Sequence, residues 1–268
     1  LPCPESITKR LTESPRLWLF LDYDGTLTEF APTPDHVQPD QRVVDLLSGL
    51  VKSPYMRLSV ISGRRLSQVK ELIPVPGMLL AGTYGIELFT PEGKYLERLD
   101  YQTIRPILEM IKPVWQGLIA DRQGFYLEDK GWSLALHARF ADESESDQVL
   151  EAAKLAAARA IEKKDFRLLG GHKFLEVGPK IADKGQTVKY ILDRYAWQEA
   201  LPLYLGDDDK DESAFSVIKQ HGGIAILVAA QPRESQADCR LESIQSARAW
   251  LEKLPHLIKA ANAVVGSD

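Results

Sequence analysis

Two aspartates, Asp22 and Asp24, stand two positions apart and are followed at once by Gly25 and Thr26. One carboxylate can attack an electrophilic centre and carry a covalent intermediate. A second beside it can protonate a leaving oxygen and later take a proton from water. Gly25 permits a tight turn at this point. Asp-x-Asp-Gly segments also form solvated turns and calcium loops. A calcium loop, however, needs more oxygen ligands at close spacing than Tyr23, Thr26 and Leu27 supply.

A second group is Tyr204-Leu205-Gly206-Asp207-Asp208-Asp209-Lys210-Asp211-Glu212. Five acidic residues this close repel one another unless a cation is held among them. Mg²⁺ takes one or two protein carboxylates together with water and substrate phosphate. Asp207 is the best ligand candidate, with Asp208 or Asp211 helping directly or through water. Asp211 and Glu212 also suit the start of a helix, where the dipole favours negative charge. Ser62-Gly63-Arg64 offers a hydroxyl and backbone N–H groups at a helix start, which can cradle a phosphate or simply cap the helix. Lys184 follows Asp183 and can neutralise both a nucleophilic carboxylate and a phosphoryl group. An ordinary lysine at a helix start is solvated and slightly disfavoured there.

The elements that must position these groups alternate in type. Leu17–Leu21 reads as a strand buried on both faces, ending at Asp22. A helix over Pro39–Lys52, a strand over Arg57–Ile61, a helix over Leu66–Leu72 and a strand over Met78–Ala81 follow. This βαβ rhythm predicts a parallel sheet with helices on both faces. From about residue 100 the pattern changes to a helix over Thr103–Lys112 and strands Phe125–Glu128 and Trp132–Phe140 around Asp129-Lys130-Gly131. A long helix over Ser144–Lys164 and a second hairpin around Gly170-Gly171 complete that part. Hairpins alternating with helices predict a small antiparallel sheet covered on one face. After Pro179 the βα rhythm resumes: helix Lys184–Tyr195, strand Leu203–Leu205, helix Asp211–Gln220, strand Ile224–Val228 and a closing helix near Leu241–Ala263. The expected fold class is therefore α/β, a Rossmann-like parallel-sheet core of residues 1–99 and 179–268 with an inserted α+β domain at 100–178. Ligands of such sheets bind outside the carboxyl ends of the strands, where Asp22, Ser62 and Asp207 would all lie.

Bulk composition bounds the function classes. The chain has 268 residues, 44% of them hydrophobic, and a formal net charge of −5. No basic excess exists to neutralise a nucleic acid. No stretch approaches the ~20 apolar residues of a membrane span. Cys3 and Cys239 are too few for a disulfide framework or a zinc site and read as reduced thiols. A cytoplasmic protein, monomeric and acting on a small molecule, is expected.

Taken in order, Asp-x-Asp-Gly-Thr, Ser62, Lys184 and Gly-Asp-Asp-x-x-Asp resemble the haloacid dehalogenase superfamily of phosphotransferases over nearly the whole chain. The resemblance implies that Asp22 forms an aspartyl-phosphate and Asp24 acts as general acid and base. It implies that Ser62 and Lys184 bind phosphate and that Asp22, the Asp24 carbonyl and Asp207 hold Mg²⁺, supported by Asp208 or Asp211. The insert would be the mobile cap that selects the substrate.

Within that insert, Glu128-x-Lys130-Gly131-x-Ser133, His137-x-Arg139, Gly170-Gly171-His172 and Leu175-Glu176-Val177 resemble the trehalose-6-phosphate phosphatases, as does Gly82-Thr83-Tyr84-Gly85-Ile86-Glu87 on the core. Arg64, Glu87, Glu128, Lys130, His137, Arg139 and Glu176 are then the candidate substrate-binding residues. Paired donors and acceptors of this kind discriminate strongly among polyhydroxylated ligands. Two positions depart from the family pattern: Tyr84 stands for a histidine and Lys210 for a threonine. Lys210 adds a cation suited to a further carboxylate. Phosphatases of glucosyl-, mannosyl- or mannosylglucosyl-3-phosphoglycerate are therefore the alternative, ahead of a sugar phosphomutase or a non-catalytic sugar-phosphate sensor.

Overall fold

The protein is described by a computed structural model covering residues 5–30, 38–162 and 165–265. In chain order the first elements are α1 (Glu5–Glu13), β1 (Arg16–Leu21), α2 (Gln41–Val51), β2 (Met56–Ile61) and α3 (Leu66–Leu72). Then come β3 (Leu79–Gly82), β4 (Glu87–Phe89), β5 (Tyr95–Glu97), α4 (Tyr101–Ile119), β6 (Tyr126–Asp129) and β7 (Leu134–His137). They are followed by α5 (Glu143–Ala160), β8 (Phe166–Gly171), β9 (Phe174–Pro179), α6 (Lys184–Arg194) and β10 (Ala200–Gly206). α7 (Glu212–Gln220), β11 (Ile224–Val228), β12 (Cys239–Leu241) and α8 (Ile244–Val265) close the chain. These elements form two compact units, Leu1–Leu96 with Asp183–Asp268, and Glu97–Ala182.

The first unit is built on a sheet ordered β12-β11-β10-β1-β2-β3-β4-β5 among the described residues. β12 to β3 pair in parallel and β4 returns antiparallel to β3. Side-chain alternation divides β1 between two cores. Leu17, Leu19 and Leu21 join the cluster that includes α2 and α8 residues, whereas Trp18 and Phe20 join the one containing Val188 of α6 and Phe215 of α7. A strand buried on both faces has little choice but to be apolar throughout. Aspartates start the helices that flank it: the Asp40 side chain accepts from the Arg42 N–H at α2, and Asp183 from the Gln186 N–H at α6.

The second unit is a four-stranded sheet ordered β6-β7-β9-β8, antiparallel throughout. Register places Glu128 opposite Ala135 and Ala135 opposite Glu176, so these residues share one face. Tyr126, His137 and Phe174 lie in the next row of that face. Leu134, Leu136, Leu175 and Val177 occupy the other face and are buried. α4 belongs to this apolar side, since its Arg105 bonds Asp129, which shares the face of Leu134.

Several expectations need correction. The helix starting near Thr103 runs from Tyr101 to Ile119 and carries Pro113 in its interior, beyond the expected end at Lys112. The strand expected over Trp132–Phe140 is confined to Leu134–His137. Gly170 and Gly171 are paired strand residues, and the hairpin turns instead at His172-Lys173, with Lys173 at φ 52°. The expected end of the long helix at Lys164 lies outside the described residues. α1, β4, β5 and β12 are additional to the expected elements. Cys239 is disulfide-bonded, not a reduced thiol, while the only other cysteine, Cys3, lies outside the described residues. This removes the cysteine argument for a reducing compartment. Among the described residues, no helix is long and apolar enough to cross a membrane.

Candidate active site

Parallel pairing aligns the carboxyl ends of β10, β1 and β2. Leu21 stands opposite both Leu205 and Val60, so Asp22, Asp207 and Ser62 emerge at one sheet edge. The Asp22 N–H still donates to the Leu205 carbonyl at 2.9 Å, and the chain then turns away. Tyr23 is buried in the apolar core, leaving Asp22 and Asp24 for the site. Gly25 makes the turn with φ 87°, a conformation side-chain-bearing residues rarely adopt. A Cβ at Gly25 would also collide with the Asp207 carboxylate, so this glycine is required twice over.

Asp22 is 5% exposed, and its Oδ1 lies 2.8 Å from Lys184 Nζ. Lys184, 3% exposed, also reaches Asp211 Oδ1 at 2.6 Å. Burial works against the ammonium, but Asp211 and Asp22 outweigh it and raise its pKa well above the ordinary lysine range. The Asp22 carboxyl is pushed well up by burial, opposed by Lys184 and reinforced by Asp207. Asp207 is pushed up to about 6 by burial and then by Asp211. Asp211 rises to about 7, through burial against the pull of Lys184. Asp208 moves the other way: burial is outweighed by Lys184 and Lys210.

Carboxylate atoms of Asp22, Asp207 and Asp211 lie within 4.8 Å of one another. This is an all-oxygen donor set with excess negative charge, which fits a hard divalent cation such as Mg²⁺. The three are not equivalent. Asp211 Oδ1 accepts from Lys184 and, at 2.7 Å, from the Tyr204 hydroxyl. Its Oδ2 accepts the N–H groups of Asp207 and Asp208 at 3.1 and 3.2 Å. Four donors fill the capacity of one carboxylate. Asp22 and Asp207 are therefore the better direct ligands, and Asp211 orders the loop. Asp208 caps the following turn by accepting from the Lys210 N–H, and its Oδ2 lies 3.5 Å from Lys210 Nζ.

Asp24 is gripped by both arms of Arg64: Nε–H donates to Oδ2 and Nη2–H to Oδ1, each at 2.7 Å. Arg64 is thus joined to the second carboxylate of the motif. Ser62 is buried, and its Oγ accepts from the Arg64 N–H at 3.1 Å. Glu87 accepts from the Thr83 hydroxyl at 3.3 Å and the Tyr95 hydroxyl at 2.9 Å, which places it against the turn after β3.

In the second unit, Lys130 Nζ lies 3.0 Å from Glu176 Oε2, and the Ser133 hydroxyl donates to Glu176 Oε1 at 2.7 Å. His137 Nε2 lies 3.0 Å from Glu128 Oε2, with its ring near Tyr126 and Phe174. Glu128, Lys130, Ser133, His137 and Glu176 are therefore one polar patch. Arg139 follows β7 and is exposed.

Two contacts at the site have no signal in the sequence. Tyr204 follows the apolar pattern of β10 yet is the one residue there with a hydroxyl, directly before the acidic loop. Arg248 of α8 donates from Nε to the Leu27 carbonyl at 2.7 Å and from Nη2 to Asp40 at 2.6 Å, tying the Asp22–Thr28 turn to the start of α2. A lone arginine 221 positions away gives no local signal.

The fold is that of the haloacid dehalogenase-like hydrolases. One such protein from Bacteroides thetaiotaomicron superposes with a TM-score of 0.62 at 14% identity, covering 89% of this chain and 99% of its own. The C-terminal domain of trehalose-6-phosphate phosphatase from C. albicans superposes with a TM-score of 0.82 at 21% identity, covering 95% and 98%. At these identities the likeness establishes the fold. Residues 20–245 match the trehalose-phosphatase family model, and the chain belongs to that family. The trehalose-phosphate phosphatase of Mycobacterium marinum is 32% identical over 237 residues, 87% of this chain and 59% of its own length. Probable trehalose-phosphate phosphatase D of Arabidopsis thaliana is 28% identical over 249 residues, 88% and 66% respectively. The chain thus spans about three-fifths to two-thirds of these relatives.

Proposed function

We propose that this chain is a Mg²⁺-dependent phosphatase that hydrolyses trehalose 6-phosphate to trehalose and phosphate. The observation that carries the reading is the buried Asp22 carboxylate paired with Lys184 beside Asp207, in a chain of the trehalose-phosphatase family. Asp22 attacks phosphorus and the sugar oxygen leaves, giving an aspartyl-phosphate. Asp24 supplies the proton to that oxygen and then removes one from the attacking water. Lys184 opposes the protonation of Asp22 and, with Ser62, meets the charge that grows on the phosphoryl oxygens. Asp22, Asp207 and the Asp24 carbonyl are the groups that would hold Mg²⁺, whose positive charge offsets that of the phosphoryl group. Glu128, Lys130, His137 and Glu176 supply paired donors and acceptors for sugar hydroxyls, with Arg64, Glu87 and Arg139 as further candidates. Arg64 must release or share Asp24 when the substrate arrives. Lys210 has its ammonium turned to Asp208, which gives no support to a phosphoglycerate substrate.

The test is phosphate release from trehalose 6-phosphate in Mg²⁺ by the wild type and by Asp22→Asn. Wild-type turnover with none in the variant is expected, the variant melting like a folded protein. Substantial Mg²⁺-dependent hydrolysis by pure Asp22→Asn would overturn the mechanism.

A further inference from the structure

The two groups assigned to phosphate, Ser62 and Lys184, come from different segments, and a single strained turn touches the Ser62 loop and the helix that carries Lys184. After β3, Thr83, Tyr84 and Gly85 have φ values of 47°, 53° and 91°. Three consecutive residues in the left-handed region are rare, and a β-branched threonine is an outlier there. All three are buried. The turn is gripped from two sides. On one side the Thr83 N–H donates to the Arg64 carbonyl at 2.7 Å and the Tyr84 N–H to the Ser62 carbonyl at 2.9 Å. The Tyr84 ring lies so close to Gly63 that an added Cβ there would come within 2.7 Å of the phenol. On the other side the Thr187 hydroxyl donates to the Tyr84 carbonyl at 2.7 Å, and a Cβ at Gly85 would collide with that threonine. Thr187 is fully buried on α6, three residues after Lys184, and its N–H donates to the Asp183 carbonyl that opens the helix. Strained backbone persists where its surroundings over-determine it. Here the surroundings include the Ser62 loop and the Lys184 helix.

We propose that Thr83–Gly85 and Thr187 form a positioning strut that fixes the spacing between the Ser62 hydroxyl and the Lys184 ammonium. Thr187 is the positioning residue that joins the strut to α6. The inference rests on the phosphatase reading and adds a residue to it. A misplacement of well under 1 Å at these groups suffices to slow the phosphoryl step. Ground-state binding, driven by net charge, responds less.

The test compares Thr187→Val, which keeps the shape and removes the hydroxyl, with Thr187→Ser, which keeps the hydroxyl. Turnover of trehalose 6-phosphate and of p-nitrophenyl phosphate is measured in Mg²⁺, well below the melting temperature of each protein. For Thr187→Val, kcat is expected to fall roughly 10- to 100-fold on both esters, with KM within about threefold. Thr187→Ser is expected to recover kcat to within about threefold of wild type. If Thr187→Val does not fold, Thr187→Ala carries the same expectation. A folded hydroxyl-free variant with wild-type kcat, a loss confined to KM, or a serine variant as slow as valine would overturn the strut. Wild-type activity on p-nitrophenyl phosphate without activity on trehalose 6-phosphate would sink only the sugar assignment, and the strut would be judged on the aryl ester. Wild-type inactivity on both would overturn both.

Discussion

Lys184→Met removes one ammonium and leaves the shape of the side chain nearly intact. Two buried carboxylates lose their cation: Asp22 at 2.8 Å and Asp211 at 2.6 Å. At an effective dielectric near 20, each contact carries roughly 6 kcal/mol of Coulomb energy before desolvation. Much of that is recovered when the abandoned carboxylates take up protons, so the net cost is that of breaking a buried pair, about 3–5 kcal/mol. At 2–4 °C per kcal/mol for a domain of this size, the melting temperature should drop by about 6–20 °C. Activity should fall further than stability. Burial already raises the Asp22 carboxyl, and without Lys184 the pull that opposes this is gone, so the attacking anion is disfavoured further. Loss of both the nucleophile's charge and a cation for the phosphoryl oxygens should cost at least about 10³ in kcat. Calorimetry and phosphate release at 20 °C, where the variant is folded, read the two effects separately. A melting temperature within about 2 °C of wild type together with kcat within about tenfold would show that Lys184 is a bystander.

The acidic edge predicts how stability varies with pH. Asp207 and Asp211 have folded-state values of about 6 and about 7, above their ordinary range. The folded protein therefore binds more protons than the unfolded chain between about pH 4 and 7, and metal-free stability falls as pH rises through that window. Mg²⁺ binds the deprotonated form, so it should raise the melting temperature at pH 8 and have little effect at pH 5; equal shifts at both would contradict the assignment. In the second unit, Glu176→Gln keeps the shape but weakens the buried contact with Lys130. KM for trehalose 6-phosphate should rise about tenfold or more while kcat/KM for p-nitrophenyl phosphate changes less than about twofold. Equal losses on both esters would place Glu176 in support of the fold.

The acidic edge was legible in the sequence because its signals are local. An apolar run ending in Asp22, and another ending in Gly206-Asp207, each carry their own strand and their own carboxylate, and parallel pairing then brings them together. Lys184 was harder to read, since only its position between Asp22 and Asp211 distinguishes it from a solvated lysine. Arg64 reads from the sequence as a substrate-binding candidate, and its bidentate contact with Asp24 depends on a turn that no spacing reveals. The second hairpin was misplaced by two residues because Gly170-Gly171 looks like a turn. Lys173 adopts the left-handed turn conformation instead, an uncommon choice for a lysine. Helix α4 runs past its expected end at Lys112 and carries Pro113 within it. Short strands such as β4, β5 and β12, three residues each, leave too little periodicity to detect.

The central claim is that the chain hydrolyses one disaccharide phosphate selectively. Its most direct test is kcat/KM for phosphate release from trehalose 6-phosphate, measured beside glucosyl-, mannosyl- and mannosylglucosyl-3-phosphoglycerate and glucose 6-phosphate. The polar patch of Glu128, Lys130, His137 and Glu176 predicts a preference for trehalose 6-phosphate of at least about 100-fold. Equal slow hydrolysis of all five, or a preference for a phosphoglycerate, would contradict it.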